Sequence, residues 1–277
     1  ACGLALSERR EPLAATSVGV GELLNAAVQS GARRCVVGLG GSATNDAGAG
    51  FLHALGATGD RPLDRGPAAF DGITTCDLTA VRQRLNGVEL TIASDVESVL
   101  LGMFGASKTF GLQKGLSDDE IIRVDAILDN FVNAVCGRTP SQRAVADARG
   151  AGAAGGLGFA MLALGAQFTS GIDLIAEATG LVEAMAVADL VVTGEGKYDF
   201  SSRAGKVVYG VARNAASVAR PCIVLAGKVD VGAREMRAMG VQSAYSMTDI
   251  VGEDASVTAA ADSLRRLAAR VARTWSR

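Results

Sequence analysis

The sequence predicts an α/β protein made of two domains, and three features lead to that prediction. The 277 residues are 49% hydrophobic and 20% charged, which is typical of a folded chain with a sizeable core. From about residue 187 onwards, short apolar runs alternate with helical patterns, as in right-handed βαβ units on a parallel sheet. Glycine is abundant, with 35 residues against 5 prolines, and it is concentrated in a few runs. We therefore expect a glycine-rich domain at 1–185 and a Rossmann-like parallel-sheet domain at 186–277.

The predicted elements of the first domain are helices and short strands. Apolar side chains recur at helical spacing in several segments, and Ser117 with Glu120 forms a capping box before one of them. Short apolar runs between these segments predict buried strands. The elements are a helix at 17–31, strands at 33–38 and 90–94, and helices at 47–56, 118–135 and 157–166.

The predicted elements of the second domain alternate strictly. They are strands at 190–193, 222–226 and 244–247, each followed by a helix, at 205–219, 231–239 and 255–274. Ligands of open parallel sheets bind beyond the carboxyl ends of the strands, so we expect a site in the loops that follow these strands.

Charge and cysteine content exclude several classes of protein. The net charge is −2 and the isoelectric point about 5.6, so no nucleic-acid partner is expected. Five scattered cysteines without a C-x-x-C pair indicate a reduced, cytoplasmic protein. His53 is the only histidine and lies in an apolar helical pattern, which argues against zinc and against a histidine-based nucleophile system. No apolar run approaches the roughly 20 residues of a membrane span.

Two common glycine-rich phosphate motifs do not fit this chain. The Walker A pattern does not occur. Gly150, Gly152 and Gly155 spell G-x-G-x-x-G, but the preceding residues 141–149 are polar and do not form a hydrophobic strand. A dinucleotide-binding motif requires strand, turn and helix in that order, so we reject a nicotinamide oxidoreductase.

The segment at 38–46 is a better candidate for an anion site. A predicted strand leads into two adjacent glycines, two hydroxyls, an amide and a carboxylate, and a helix follows. Backbone N–H groups at a helix N-terminus bind anions. Asp46 could cap that helix, or it could hold magnesium or orient a substrate hydroxyl. The candidate binding residues of this segment are Gly40, Gly41, Ser42, Thr44 and Asn45.

A second candidate segment, 193–199, follows a predicted parallel strand and carries Glu195 and Asp199. Lys206 stands at the start of the next predicted helix, where a cation opposes the helix dipole and indicates a nearby anion. Asp95 ends another predicted strand, and Lys114 precedes a predicted helix start.

Seven stretches together resemble the class I glycerate kinase family. They occur in the order of the family pattern and extend over nearly the whole chain, and GGSATND and TGEG-x-x-D are the most specific parts. The stretches are TSVGVGELL (16–24), GLGGSATNDAGAG (38–50), ASDVESVLLG (93–102), TFGLQKG (109–115), GAGAAGGLG (150–158), ADLVVTGEGKYD (188–199) and GKVVYGVA (205–212).

The resemblance implies a two-domain enzyme, with the glycine-rich domain inserted into the Rossmann-like domain and the active site in the cleft between them. It implies ATP-dependent phosphorylation of D-glycerate with Mg²⁺, giving 2-phosphoglycerate, with 3-phosphoglycerate as the alternative product. A homodimer is the further expectation. A non-catalytic remnant that binds a small acid or a nucleotide is the competing hypothesis.

The resemblance also implies roles for individual residues. Asp199 or Asp46 accepts the proton of the glycerate hydroxyl, and Glu195 or Asp95 holds magnesium. Lys114 and Lys206 neutralise a phosphate or the glycerate carboxylate. The residues expected to contact ligand oxygens are Gly40, Gly41, Ser42, Thr44, Asn45, Gly152, Gly155, Gly156, Thr193, Gly194 and Gly196.

The chain departs from the family pattern in three places. Ser201 and Ser202 stand where the family usually has Gln followed by Ser or Thr, and Ser98 and Val99 replace an Asn-Pro pair. The family's initial D-S-F-K and A-D-G-G-E-G stretches do not appear. We therefore expect that the start of the pattern is missing and that only the C-terminal half of the Rossmann-like domain is present.

Overall fold

The computed structural model describes residues 3–203 and 207–276 of the chain. The chain divides into two compact units, Ala1–Thr169 and Ser170–Arg277. This division falls earlier than the boundary expected at 185. The reason is that Ile172, Leu181 and Met185 pack in the hydrophobic cluster of the second unit, on two helices that the sequence pattern did not predict.

The described residues form the following helices and strands. The helices are α1 (Val18–Gln29), α2 (Ala49–Ala54), α3 (Thr79–Arg84), α4 (Ala106–Lys114), α5 (Asp118–Cys136), α6 (Pro140–Arg143), α7 (Ala153–Ala163), α8 (Gly171–Thr179), α9 (Leu181–Val187), α10 (Val207–Ser217), α11 (Ala233–Ala238), α12 (Thr248–Val251), α13 (Glu253–Thr258) and α14 (Ala260–Trp275). The strands are β1 (Arg34–Gly38), β2 (Thr58–Gly59), β3 (Cys76–Asp77), β4 (Glu89–Ala93), β5 (Gln167–Thr169), β6 (Val191–Tyr198), β7 (Cys222–Val229) and β8 (Ser243–Ser246).

The first unit has a parallel sheet of order β1-β4-β5 and a small antiparallel pair, β2-β3. Its core contains four fully buried phenylalanines, three of which form a chain of ring contacts through Phe131. A strand forms at Arg34–Gly38, close to the predicted range 33–38, but it is not buried as expected. In the described sheet β1 pairs with β4 alone, and Val36 is half exposed.

The start of α5 follows a local signal. The capping box before α5 is formed, since Ser117 accepts from the backbone of Glu120 and Glu120 accepts from the backbone of Ser117. His53 is exposed on α2, as expected for a surface histidine. In α7, Ala154, Gly155 and Gly156 have positive φ, so regular helix starts only at about residue 157, as the sequence predicted.

The second unit has a parallel sheet of order β6-β7-β8. A hydrophobic cluster with α10 covers one part of this sheet, and a smaller cluster with Leu267 and Val271 of α14 covers another. The single helix expected at 255–274 is two helices, because Ala259 has non-helical backbone angles. Strand β6 is longer than expected and runs through Tyr198. None of the helices in the described ranges has the length and apolar content needed to cross a bilayer.

Candidate active site

The glycine loop after β1 lies at the carboxyl end of the first unit's sheet. Leu39 N donates to the carbonyl of Ala93 at the end of β4, and Ser94 Oγ donates to the carbonyl of Leu39 at 2.7 Å. These bonds fix the loop beside the end of β4. The loop follows a strand, as the sequence predicted, and that strand belongs to a parallel sheet.

The backbone of the glycine loop is open on one side. A Cβ atom built on Gly40 or Gly41 would meet no atom within 4 Å, and Gly41 has a φ of +59°. The loop lines a cavity of about 60 Å³ together with Ser42 and Lys114. That volume lies far below the roughly 300–1,000 Å³ of sites that enclose drug-sized ligands, so the cavity fits one small group such as a carboxylate or a single phosphate.

Lys114 is the cation of this cavity. It precedes α5 as expected, but it also lies in the last turn of α4, a helix that was not predicted, and the residue is 3% exposed. Its Nζ donates to the carbonyl of Thr44 at 2.7 Å and to Ser42 Oγ at 3.4 Å. Burial lowers the pKa of Lys114 to about 8, and the charge of Asp46 opposes that shift. An ammonium has three protons, so these two bonds leave one for an anion in the cavity.

Asp46 is fully buried and makes four hydrogen bonds within the protein. Its carboxylate accepts from Ser17 N and Ser17 Oγ at 2.8 Å, and from Gly48 N and Gly50 N at 3.2 Å. Burial raises the pKa of Asp46 above 3.8, while the bonds from Ser17, Gly50 and Gly48 oppose the rise. The arrangement caps the start of α2 and ties it to the start of α1. It favours the capping alternative over a role as proton acceptor.

Asn45 and Thr44 are also buried in this loop. Asn45 Nδ2 donates to Ser107 Oγ at 2.9 Å, while its Oδ1 has no hydrogen-bond partner among the described protein atoms. Thr44 Oγ1 donates to the carbonyl of Ala154 at 3.4 Å and lines a second cavity, of about 130 Å³, with Ser42. Of the two side chains, Thr44 borders a cavity.

The glycine run at 150–158 mainly serves close packing. A Cβ on Gly155 would lie 1.9 Å from the carbonyl oxygen of Thr44, and one on Gly156 would lie 2.6 Å from Ala47 Cα. Gly152 N donates to the carbonyl of Ser98, and Gly156 N donates to that of Gly152. The expectation that Gly152 and Gly156 offer their amides to a ligand is therefore wrong. Gly155 does line the 60 Å³ cavity.

In the second unit, Glu195 and Asp199 lie at the carboxyl end of β6. Glu195 is a strand residue opposite Ala226 of β7, and Asp199 follows the last residue of the strand. The segment expected to be a loop after a strand is thus mostly the strand itself. Both side chains are half-buried, and the short 3₁₀ helix Phe200–Arg203 follows them.

A salt-bridge network surrounds Asp199. Lys197 Nζ lies 3.2 Å from Asp199 Oδ2 and 3.4 Å from Asp230 Oδ2, just after the end of β7. The hydrogen bond to Asp199, followed by that to Asp230, raises the pKa of Lys197. Lys197 is thus a cation held between two carboxylates at neighbouring strand ends.

The other predicted site residues differ in burial and in the space around them. A Cβ on Gly194 would lie 2.3 Å from the carbonyl oxygen of Leu225, so this glycine allows close strand pairing, whereas Gly196 faces open space. Thr193 is half-buried within β6, and Asp95 is exposed after β4. Lys206 lies outside the described residues.

The magnesium prediction rests on Glu195 or Asp95. Across the part of the chain that the structure describes, acidic, histidine and cysteine side chains form no group of three that could hold a metal ion. Magnesium in phosphoryl-transfer sites is commonly held by one or two carboxylates together with substrate phosphates, so such a group is not required. Glu195 could be one such carboxylate ligand, because a hydrogen bond from Ser202 Oγ at 2.5 Å orients its side chain.

Five polar residues of these sites were not predicted to act there: Ser17, Ser107, Lys197, Ser202 and Asp230. Ser17 stands directly before α1, but its hydroxyl makes no cap bond there, so the N-cap preference for serine does not identify its bond to Asp46. Lys197 could have been found from strand periodicity, because residues 195, 197 and 199 point to one side of a strand. No local signal identifies Ser107 or Asp230.

Another cavity lies elsewhere in the second unit. It measures about 350 Å³ and is lined by β8 and α14, including Tyr245, Asp249 and Arg270. None of the predicted site residues lines it. The oriented carboxylates and the salt-bridge network are at the end of β6, so that strand end is the candidate site of the second unit.

The fold and these sites first define the class of protein: an α/β protein with an open glycine loop, a buried lysine and oriented carboxylates near the carboxyl ends of parallel strands. Comparison with known proteins gives the family. The chain belongs to the glycerate kinase family, whose model matches residues 1–276. That match gives no support to the expectation that the beginning of the family pattern is missing.

Individual relatives agree with the family. The chain is 36% identical over 282 residues to glycerate 2-kinase of Escherichia coli K12, covering 99% of this chain and 74% of that protein. It is 34% identical over 278 residues to glycerate kinase of Halalkalibacterium halodurans, covering 98% and 73%. The crystal structure of a glycerate kinase 2 from Salmonella typhimurium LT2 is similar, with a TM-score of 0.75 and 33% identity over 100% of this chain and 75% of that one. The predicted family, α/β fold class and kinase class are confirmed.

Proposed function

We propose that this chain phosphorylates D-glycerate with ATP and Mg²⁺, giving 2-phosphoglycerate. The observation that carries the proposal is the small cavity lined by the open glycine loop and buried Lys114, since it suits one carboxylate of a small acid. Membership of an ATP-utilising kinase family supports the reaction type.

The first unit binds the acid in this proposal. The third proton of Lys114 and the open backbone at Gly40 and Gly41 face the glycerate carboxylate. Asp46 and Asn45 stabilise the loop through their buried hydrogen bonds with Ser17 and Ser107. Phosphoryl transfer depends mainly on positioning and on electrostatic stabilisation, and a rigid acid-binding loop supplies the former.

The second unit supplies the chemical groups in this proposal. Asp199 accepts the proton of the attacking hydroxyl, and Lys197 holds its carboxylate in place. Glu195 would hold Mg²⁺, which neutralises charge on the nucleotide phosphates when bound. The domain roles expected from the resemblance, the cytoplasmic location and the homodimer stay predictions.

A coupled assay with ATP and D-glycerate tests the activity. We expect ADP release that depends on D-glycerate and on Mg²⁺, and a phosphorus NMR spectrum of the product distinguishes 2- from 3-phosphoglycerate. If the protein binds ATP and D-glycerate but releases no ADP, the alternative of a non-catalytic binding protein is correct.

The KM for D-glycerate is expected to depend on pH through Lys114. Because the pKa of Lys114 is about 8, its side chain is mainly charged at pH 7 and mainly neutral at pH 9. The KM should therefore rise about tenfold per pH unit above pH 8, with a smaller change below it. Initial rates between pH 6.5 and 9.5 measure this profile.

Two variants on the same helix provide the control for this profile. Lys114→Met should raise the KM at pH 7 about 10- to 100-fold, the value of a hydrogen bond to a charged group, and should abolish the pH dependence. Lys108→Met removes an exposed lysine of α4 and should leave the profile unchanged. A Lys114→Met enzyme that keeps the rise above pH 8 would assign it to another group.

A further inference from the structure

Ser202 is a buried side chain that contacts both candidate carboxylate residues of the second unit. It is fully buried in the short 3₁₀ helix that follows β6. Its Oγ lies 2.5 Å from Glu195 Oε1 and 3.2 Å from the backbone N of Asp199. Its own backbone N donates to the carbonyl of Asp199 at 3.0 Å.

The directions of these hydrogen bonds follow from the chemistry of the groups. The amide of Asp199 can only donate, so Ser202 Oγ accepts from it. An ionised carboxylate can only accept, so the single hydroxyl proton of Ser202 goes to Glu195 Oε1. A hydrogen bond to a charged acceptor is among the stronger ones, and its 2.5 Å length is typical of a hydroxyl donating to a carboxylate.

The hydroxyl therefore fixes two things at once. The backbone of Glu195 is held by its pairing with Ala226, but a glutamate side chain has three further torsions, and the bond from Ser202 restricts them. The bond from Asp199 N sets the turn at which Asp199 leaves the strand. Alanine at position 202 would remove both constraints, while threonine would keep the hydroxyl.

We propose that Ser202 is a positioning residue that orients Glu195 for the metal and sets the direction of Asp199. The proposal rests on the proposed function, in which Glu195 binds the metal ion of the nucleotide. Partners that orient a ligating carboxylate commonly contribute 10- to 100-fold to metal affinity, which gives the expected size of the effect.

The test measures metal binding separately from turnover. Mn²⁺ replaces Mg²⁺ as a paramagnetic probe, and its dissociation constant is measured by electron paramagnetic resonance with the non-hydrolysable ATP analogue AMP-PNP present. We expect Ser202→Ala to raise this constant about tenfold or more and to lower kcat, with little change in the KM for D-glycerate. Ser202→Thr should restore both values.

A matched control and a second variant separate positioning from loss of structure. Ser263 is another buried serine of the same unit, and its hydroxyl donates to the carbonyl of Ala255 at 3.0 Å. Ser263→Ala should leave Mn²⁺ affinity unchanged. If Ser202→Ala does not fold, Ser202→Cys keeps the volume with a weaker donor, and its Mn²⁺ affinity should still fall below that of the wild type.

The possible failures are distinguishable. Wild-type binding of Mn²⁺ by a folded Ser202→Ala or Ser202→Cys protein would overturn the positioning role. Absence of Mn²⁺ binding by the wild type in the presence of AMP-PNP would overturn it as well. If the wild type binds Mn²⁺ and AMP-PNP, loses Mn²⁺ affinity on Ser202→Ala, and yet does not phosphorylate D-glycerate, the proposed function fails while the positioning role stands.

Discussion

Replacing Asp199 with asparagine is expected to lower kcat about 10²- to 10⁴-fold, the usual contribution of a general base. Asparagine has nearly the same size and still offers an oxygen to Lys197, but it cannot take the proton of the substrate hydroxyl. The salt bridge that it weakens involves a half-exposed lysine, so the free energy of unfolding should change little. Steady-state kinetics and thermal unfolding measure the two effects.

The control for this variant is a carboxylate on the surface of the same unit. Asp262 pairs with Arg265 on α14, and both side chains are exposed. Asp262→Asn should keep the wild-type kcat. A near-normal kcat for Asp199→Asn would remove Asp199 from the reaction, and an equal loss of kcat and of stability would indicate a structural residue instead.

Elements with a strong local signal could be predicted from the sequence. Helix α5 was predicted because its apolar face repeats at helical spacing and because Ser117 and Glu120 satisfy each other's backbone N–H groups. Helix α4 was missed, since its sequence ASKTFGLQK has few apolar side chains at that spacing. Local patterning therefore accounts for α5 and fails for α4.

Glycine was the main source of error in the strands. The segment TGEGKY (193–198) reads as a turn, yet it forms most of β6. Gly194 lies so close to the carbonyl of Leu225 that a side chain would collide with it, which is a reason for glycine inside a strand. The same residue type serves an open loop at Gly40, and composition alone does not distinguish the two uses.

In the candidate sites, too, local sequence patterns predicted some residues but not their long-range contacts. Gly40, Gly41 and Ser42 were predicted because a strand leads directly into them, and they line a cavity. The burial of Lys114 follows from its contact with Thr44, 70 residues away in the chain, and no local pattern indicates that contact. The outcome for Asp46 likewise depends on Ser17, a partner 29 residues away.

Asp46 offers the clearest distinction between a catalytic and a structural carboxylate. Ser17 N, Ser17 Oγ and Gly50 N all donate to Asp46 Oδ2, and Gly48 N donates to Oδ1. In Asp46→Asn, either orientation of the amide places its NH₂ group against at least one of these donors. We expect a loss of about 3–5 kcal/mol in the free energy of unfolding, as when one partner is removed from a buried charged network.

Urea unfolding of Asp46→Asn and Asp199→Asn measures the contrast. Asp77→Asn is the control in the first unit, because Asp77 is an exposed carboxylate that accepts from Thr79 N, and its loss should lower the stability far less than the loss of Asp46. Asp46→Asn should differ from both Asp77→Asn and Asp199→Asn. Its stability should fall strongly, and the fraction of the protein that stays folded should keep a measurable kcat. A stable Asp46→Asn protein without turnover would instead make Asp46 the proton acceptor, because a buried group that only caps α2 cannot be lost without weakening the fold.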